Sequence, residues 1–122
     1  MNNRDVVRGA DEFPYLNNLG FRVFATSSDE HAMLRKELLA SREDDLTAAC
    51  EWIASRQTAA SRRRFGSSYY LKHAMERQTG LYVMNGLFIA CALHLGIPFK
   101  RLSGPNALLG ILEAERSEVR HG

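Results

Sequence analysis

Cys91 and His94 stand three residues apart in the apolar run from Leu87 to Leu95. On a helix that spacing brings a thiol beside an imidazole, and a thiol–imidazole pair is the machinery of a cysteine nucleophile. Such a pair works where the thiol is partly exposed, in an electropositive setting, with a third group to orient the base. Here the neighbours are Leu, Ile, Phe and Ala, with no acid near. The run predicts a buried structural thiol and a core histidine. His31, His73 and His121 are scattered, and none has a metal-ligand spacing to Cys, Asp or Glu. No G-x-G-x-x-G or Gly-Lys-Ser/Thr phosphate cradle occurs. The carboxylates Glu43, Asp44 and Asp45 could gather a cation. They fall in the first turn of a predicted helix, however, where acids complement the dipole. The expectation is a chain with no catalytic residues, no cofactor and no metal, hence no enzyme.

Two surface readings remain. Arg62, Arg63, Arg64 and Lys72, interleaved with Phe65, Tyr69 and Tyr70, form a basic aromatic segment suited to phosphates and base stacking. A small DNA- or RNA-binding regulator would use it. The competing reading is a solvated connector pairing with the acidic helix before it. A helix-turn-helix across Gly80 is rejected: a recognition helix presents polar side chains to base edges, and Leu87 to Leu95 is apolar almost throughout. Glu76 also occupies the position, four before the turn glycine, where that motif wants a small residue. The second reading is protein–protein contact. Tyr and Arg are the residues enriched at hot spots. Glu43, Asp44 and Asp45 with Tyr69 and Tyr70 are the candidate partner-binding residues, and Tyr82 suits the same role.

The elements that must position these residues follow from periodicity and punctuation. At 122 residues the chain predicts one domain, 1–122, long enough to bury about two-thirds of its unfolded surface. Apolar residues make up 45% and charged residues 25%, with a net charge of +2, too small by itself to imply a polyanionic partner. The charge is segregated, acidic from Asp29 to Glu51 and basic from Arg56 to Arg77. Two cysteines in apolar helical settings predict reduced thiols and a cytoplasmic location. The polar N-terminus predicts no signal peptide, and no apolar run approaches the ~20 residues of a membrane span.

Residues 1–12 read as an arm, and Phe21 to Phe24 as a short strand. Ser27 with Glu30 forms a capping box, opening a helix to about Ala40 with Leu34 and Leu38 inward. Ser41 to Asp44 reads as a second cap. A helix then runs to near Ala60, with Leu46, Ala49, Cys50 and Ile53 on one face and Trp52 on its flank. Ser67 or Ser68 caps a third helix, Tyr69 to Thr79, which Gly80 ends. Leu81 to Met84 is an extended link. Asn85 is expected to cap the apolar helix, and Gly96 and Pro98 stop it. Residues 98–112 predict a small β-hairpin around Ser103 to Asn106, and 113–122 a frayed tail. The fold class is α-rich α+β, with about four helices packed around buried helix 87–95. Size alone leaves monomer and homodimer open.

The stretch from Ser68 through Leu71-Lys72-His73, Glu76 and Tyr82-Val83-Met84-Asn85-Gly86-Leu87-Phe88-Ile89-Ala90, then Gly96 and Gly104-Pro105-Asn106, resembles a group of small accessory proteins. These are carried by conjugative plasmids, integrative elements and phages of Gram-negative bacteria. The likeness spans roughly residues 67–111 and includes no catalytic motif. It implies a mobile-element setting, in which such proteins block host defences, as anti-CRISPR inhibitors do, or regulate the element's genes. The implied partner is a host protein complex.

Overall fold

A computed structural model describes residues 12–115. The elements run β1 (Leu16–Asn17), β2 (Gly20–Phe21), α1 (Ser28–Leu39), α2 (Glu43–Ala54), β3 (Arg56–Thr58), a 3-10 turn (Arg62–Arg64) and β4 (Gly66–Ser67). They continue with α3 (Ser68–Thr79), α4 (Asn85–His94), β5 (Phe99–Arg101), β6 (Ala107–Leu109) and β7 (Ile111–Glu115). The chain is α-rich α+β. The expected arm, apart from Glu12, and residues 116–122 of the expected tail lie outside the described residues. The first three residues of that tail, 113–115, are not frayed but belong to β7, which pairs with β3.

Helix α4 is the centre. Every residue from Asn85 to Ala92 is buried, and its sides meet three different covers. Leu46, Ala49, Cys50 and Ile53 of α2, and Leu71, Ala74 and Met75 of α3, are buried in the same core, which the Trp52 and Phe88 rings join at 6.0 Å. The β1–β2 hairpin supplies the third cover, with Leu16 and Phe21 in the core. There the backbones come close: the Gly86 N–H donates to the Asn18 carbonyl at 3.1 Å, and a Cβ on Gly86 would overlap the Asn17 carbonyl. Helix α1 stands one layer out, packed chiefly on β1. The expectation that the other helices surround α4 therefore holds for α2 and α3, while the small hairpin takes the place given to α1.

Local signals account for most helix ends. Ser27 Oγ accepts the Glu30 N–H at 3.1 Å, and Ser67 Oγ accepts the Tyr69 N–H at 3.2 Å. Gly80 closes α3 at φ +75° with its N–H on the Glu76 carbonyl, a left-handed position that glycine takes without strain. Two expected caps are not used. Arg42, with no side-chain cap bond, precedes α2, because Ser41 Oγ donates back to the Leu38 carbonyl at 2.6 Å. Asn85 is the first residue of α4 rather than its cap. Its amide nitrogen donates instead to the Leu19 carbonyl at 2.9 Å and to Asn106 Oδ1 at 3.0 Å, tying two loops to the helix.

Two further expectations are corrected. Helix α2 stops at Ala54, not near Ala60, because Arg56–Thr58 pairs antiparallel with β7, Arg56 opposite Glu115 and Thr58 opposite Ile111. The Arg56 guanidinium lies 4.6 Å over the Trp52 ring and donates to the Glu113 carbonyl at 2.9 Å. Tertiary pairing overrides helix propensity here. The strand expected over Phe21–Phe24 shrinks to Gly20–Phe21, paired with Leu16–Asn17. The Arg22 guanidinium donates twice to the Thr26 carbonyl and turns the chain away, leaving Phe24 fully exposed. The hairpin at 98–112 is present as β5–β6, Phe99 opposite Leu109 and Arg101 opposite Ala107, with β4 on its far edge. At Gly110 the chain leaves this sheet to form β7 beside β3.

Candidate functional site

Tyr69, Lys72, His73 and Glu76 fall at i, i+3, i+4 and i+7 along α3 and therefore share one stripe. The stripe holds a charge where none is expected. The Lys72 ammonium sits 2.9 Å from Glu76 Oε2, with its side chain only 5% exposed. Tyr82, from the link after α3, places its ring 4.6 Å from the same ammonium, and the Tyr69 ring lies 5.8 Å away. Glu76 is the hub. Its Oε1 faces His73 Nδ1 at 3.0 Å, and its Oε2 also accepts the Val83 N–H at 3.3 Å. Burial pushes the Glu76 carboxyl up, but the Lys72 ammonium, the Val83 N–H and His73 outweigh it, holding the group below its ordinary value. The Tyr69 ring meets the His73 ring edge-on at 4.3 Å. Yet Tyr69 and Tyr82 remain 54% and 65% exposed. The result is a pair of solvent-facing aromatic rings held from beneath by a buried ion pair.

Tyr70, one residue on, belongs to another face. Its hydroxyl donates to Glu113 Oε1 at 2.7 Å, which raises the phenol's pKa. Arg77 stands 6.0 Å over its ring and 3.4 Å from Glu113 Oε2. Gln78 continues this network inward, its Oε1 accepting from Trp52 Nε1 at 2.9 Å and from the Arg56 guanidinium at 3.1 Å. The expected Tyr69–Tyr70 unit is therefore split by the ~100° turn between successive helical residues.

Of the acidic residues, Asp45 lines a cleft of about 210 Å³ shared with Asn18, Glu37, Ala40, Ser41, Arg42, Tyr82, Val83, Met84 and Leu87. Tyr82 thus joins the aromatic pair to the acidic turn. Glu43 and Asp44 lie outside the cleft and are exposed. Arg62, Arg63 and Arg64 are exposed on their 3-10 turn, and no carboxylate among the described residues forms an ion pair with them. Pairing with the acids of α2 does not form. Glu43, Asp44 and Asp45 open the helix while the arginines follow its far end, and 12 residues of helix span about 18 Å. Glu51, in the last turn, forms no ion pair with them either. Lys72 is separate again, enclosed by Glu76 and two rings rather than offered to solvent. The basic segment is thus three exposed arginines, not four cations. The Lys72–Glu76–His73 cluster is what sequence reasoning missed, although its helical spacing was there to be read.

The Cys91 thiol turns away from His94, which is not the core histidine expected but a half-buried residue at the end of α4. Cys91 Sγ donates to the Leu46 carbonyl at 3.7 Å. Hydrogen bonding with Cys50 and complete burial hold its pKa well above the ordinary thiol value. Both cysteines are free. Among the described residues no group of three or more His, Cys, Asp and Glu is placed to hold a metal, and no helix is long and apolar enough to cross a membrane. Comparison with family models, curated proteins and solved structures finds no match.

Proposed function

We propose that this chain is a non-enzymatic, cytoplasmic protein-binding module that docks through Tyr69 and Tyr82 and the neighbouring acidic turn of α2. The observation that carries the reading is the clamped aromatic pair. An exposed tyrosine ordinarily loses side-chain freedom on binding. Here Lys72 and His73 already engage the rings, so the cost of ordering them is met in the free protein, and rigid tyrosines are the anchors that hot spots favour. In the mobile-element setting that the C-terminal half resembles, the fitting partner is a host complex. An inhibitor of a nucleic-acid-handling defence complex, in the manner of an anti-CRISPR protein, would turn Asp45, Glu43 and Asp44 toward a basic groove. The test is capture of host-lysate proteins on the immobilised chain at moderate salt. A specific band retained by the wild type and lost with Tyr69→Ser supports the reading. No retained protein, or retention indifferent to Tyr69→Ser and Tyr82→Ser, overturns it.

A second reading rests on Arg62, Arg63 and Arg64, which have no neutralising carboxylate among the described residues. Three phosphate contacts on duplex DNA would give a log–log salt slope of about −2.7. A mobility shift at two salt concentrations tests it, and a shift that survives Arg→Ala at all three positions removes these residues from the interface.

A further inference from the structure

We propose that the cleft beside Tyr82 receives one arginine side chain of a protein partner. This rests on the docking reading above and names the chemistry the partner must bring. The cleft lies where the C-terminal turn of α1 (Glu37, Ala40), the first turn of α2 (Asp45), the β1–β2 turn (Asn18) and the link Tyr82 to Met84 converge. At about 210 Å³ it falls below the ~300 Å³ at which small-molecule sites begin. It has the scale of a socket for one large side chain.

Its lining is of two kinds. Val83 and Leu87 are buried and present an apolar base, with Ala40 and Met84 beside them. The Tyr82 ring makes an aromatic wall, held in place by the Lys72 ammonium. Two carboxylates complete it. Glu37 is steadied by the Asn18 amide, which donates to its Oε1 at 3.3 Å. Asp45 has no counter-ion among the described residues. The negative end of the α1 dipole points the same way, while the opposing positive end of α2 is already matched by Glu43, Asp44 and Asp45. Arg42, the cation of the lining, reaches outward to Asp44 at 4.0 Å and has a side chain 76% exposed.

Apolar base, aromatic wall and two carboxylates in the lining are the complement of an aliphatic stem ending in a cation. Arginine fits this better than lysine. Its planar guanidinium forks onto carboxylates and stacks on a tyrosine face, whereas an ammonium is a strongly hydrated point charge. An anion would meet the two carboxylates and be repelled.

The probe is acetyl-Gly-Arg-Gly-amide, titrated into the isotopically labelled full chain and followed by amide NMR shifts, with acetyl-Gly-Glu-Gly-amide as control. The arginine peptide should shift Asn18, Ala40, Asp45 and Val83, and the glutamate peptide should not. The double substitution Glu37→Gln with Asp45→Asn, at one exposed and one half-buried position, should leave a dispersed spectrum and weaken binding at least tenfold. Shifts clustered elsewhere, equal shifts from both peptides, or undiminished binding by a folded double variant would overturn the socket. Tyr69 does not line the cleft, so Tyr69→Ser separates the two claims. If arginine binding fails while lysate capture still depends on Tyr69, the socket is wrong and the docking reading stands. If arginine binds while capture is indifferent to Tyr69 and Tyr82, the docking reading is wrong and the socket stands as a binding site in its own right.

Discussion

Neutralising Glu76 should destabilise the protein by about 3 kcal/mol, because Lys72 would then be a nearly buried cation without a counter-ion. The Lys72 ammonium lies 2.9 Å from Glu76 Oε2, with side chains 5% and 16% exposed. At that distance, with an effective dielectric of about 20, the direct attraction is roughly 6 kcal/mol, most of it offset by the desolvation of both ions. Breaking such a pair from one side typically costs about 3–5 kcal/mol, and the residual exposure of Glu76 places this case at the lower end. Glu76→Gln is the right probe, since a Gln oxygen in the place of Oε2 still accepts the Val83 N–H, while the charge is lost and an amide nitrogen replaces the oxygen that faces His73. Urea titrations of wild type and variant at pH 7, followed by circular dichroism, measure the difference directly. Replacing both partners by apolar residues, Lys72→Met with Glu76→Leu, should recover most of the loss. The sign of the pH dependence is fixed by the lowered carboxyl pKa. The stabilisation from Glu76 is fully present above the ordinary value of 4.5 and disappears as pH falls through the lower folded value. The gap between wild type and Glu76→Gln should therefore be constant at neutral pH and narrow only below about pH 4.5. A loss under about 1 kcal/mol at pH 7, or a double variant no better than Glu76→Gln, would show that the ammonium is not enclosed as described.

Two other substitutions test the centre of the fold. Ile89 is fully buried, so Ile89→Ala should cost about 2–5 kcal/mol with unchanged mass by light scattering; a wild-type dimer becoming a folded monomer would place Ile89 in an interface instead. Gly86→Ala should lower the melting temperature severely, because its Cβ meets the backbone carbonyl of Asn17 rather than a movable side chain, while Gly104→Ala, with open space at its Cβ, should change stability by no more than about 0.5 kcal/mol; equal melting temperatures would refute the close approach of α4 to the β1–β2 hairpin.

What was legible in the sequence was whatever short-range chemistry decides. Ser27, Ser67 and Gly80 mark helix ends through bonds to backbone within four residues, and the nearly all-apolar run of α4 announces its burial. What was not legible depends on partners distant along the chain. Arg56–Thr58 is a strand only because β7 arrives beside it, 57 residues separating Arg56 from the Glu113 carbonyl it donates to. Asn85 gives up the capping role that its type suggests because Leu19 and Asn106 stand within reach. Lys72 is a nearer case, since its ion-pair partner Glu76 stands one helical turn away. A lysine beside arginines and tyrosines reads as surface charge. Its enclosure requires Tyr82, which follows it only after the turn at Gly80.

The sealed core and the clamped rings bear on function together. Because α4 is covered by α2, α3 and the β1–β2 hairpin, its thiol is spent on packing, and the chemistry left to solvent sits on α3, the link after it and two turns. Packing alone does not account for the arrangement there. Two apolar side chains at positions 72 and 76 would fill the space without desolvating a charge. They would not, however, draw the Tyr82 ring onto an ammonium or bind the Val83 N–H through a carboxylate, and those two contacts fix the link that walls the cleft. The ion pair is thus a positioning device, which ties Tyr82 and the link bearing Val83 to α3 beside the acidic cleft.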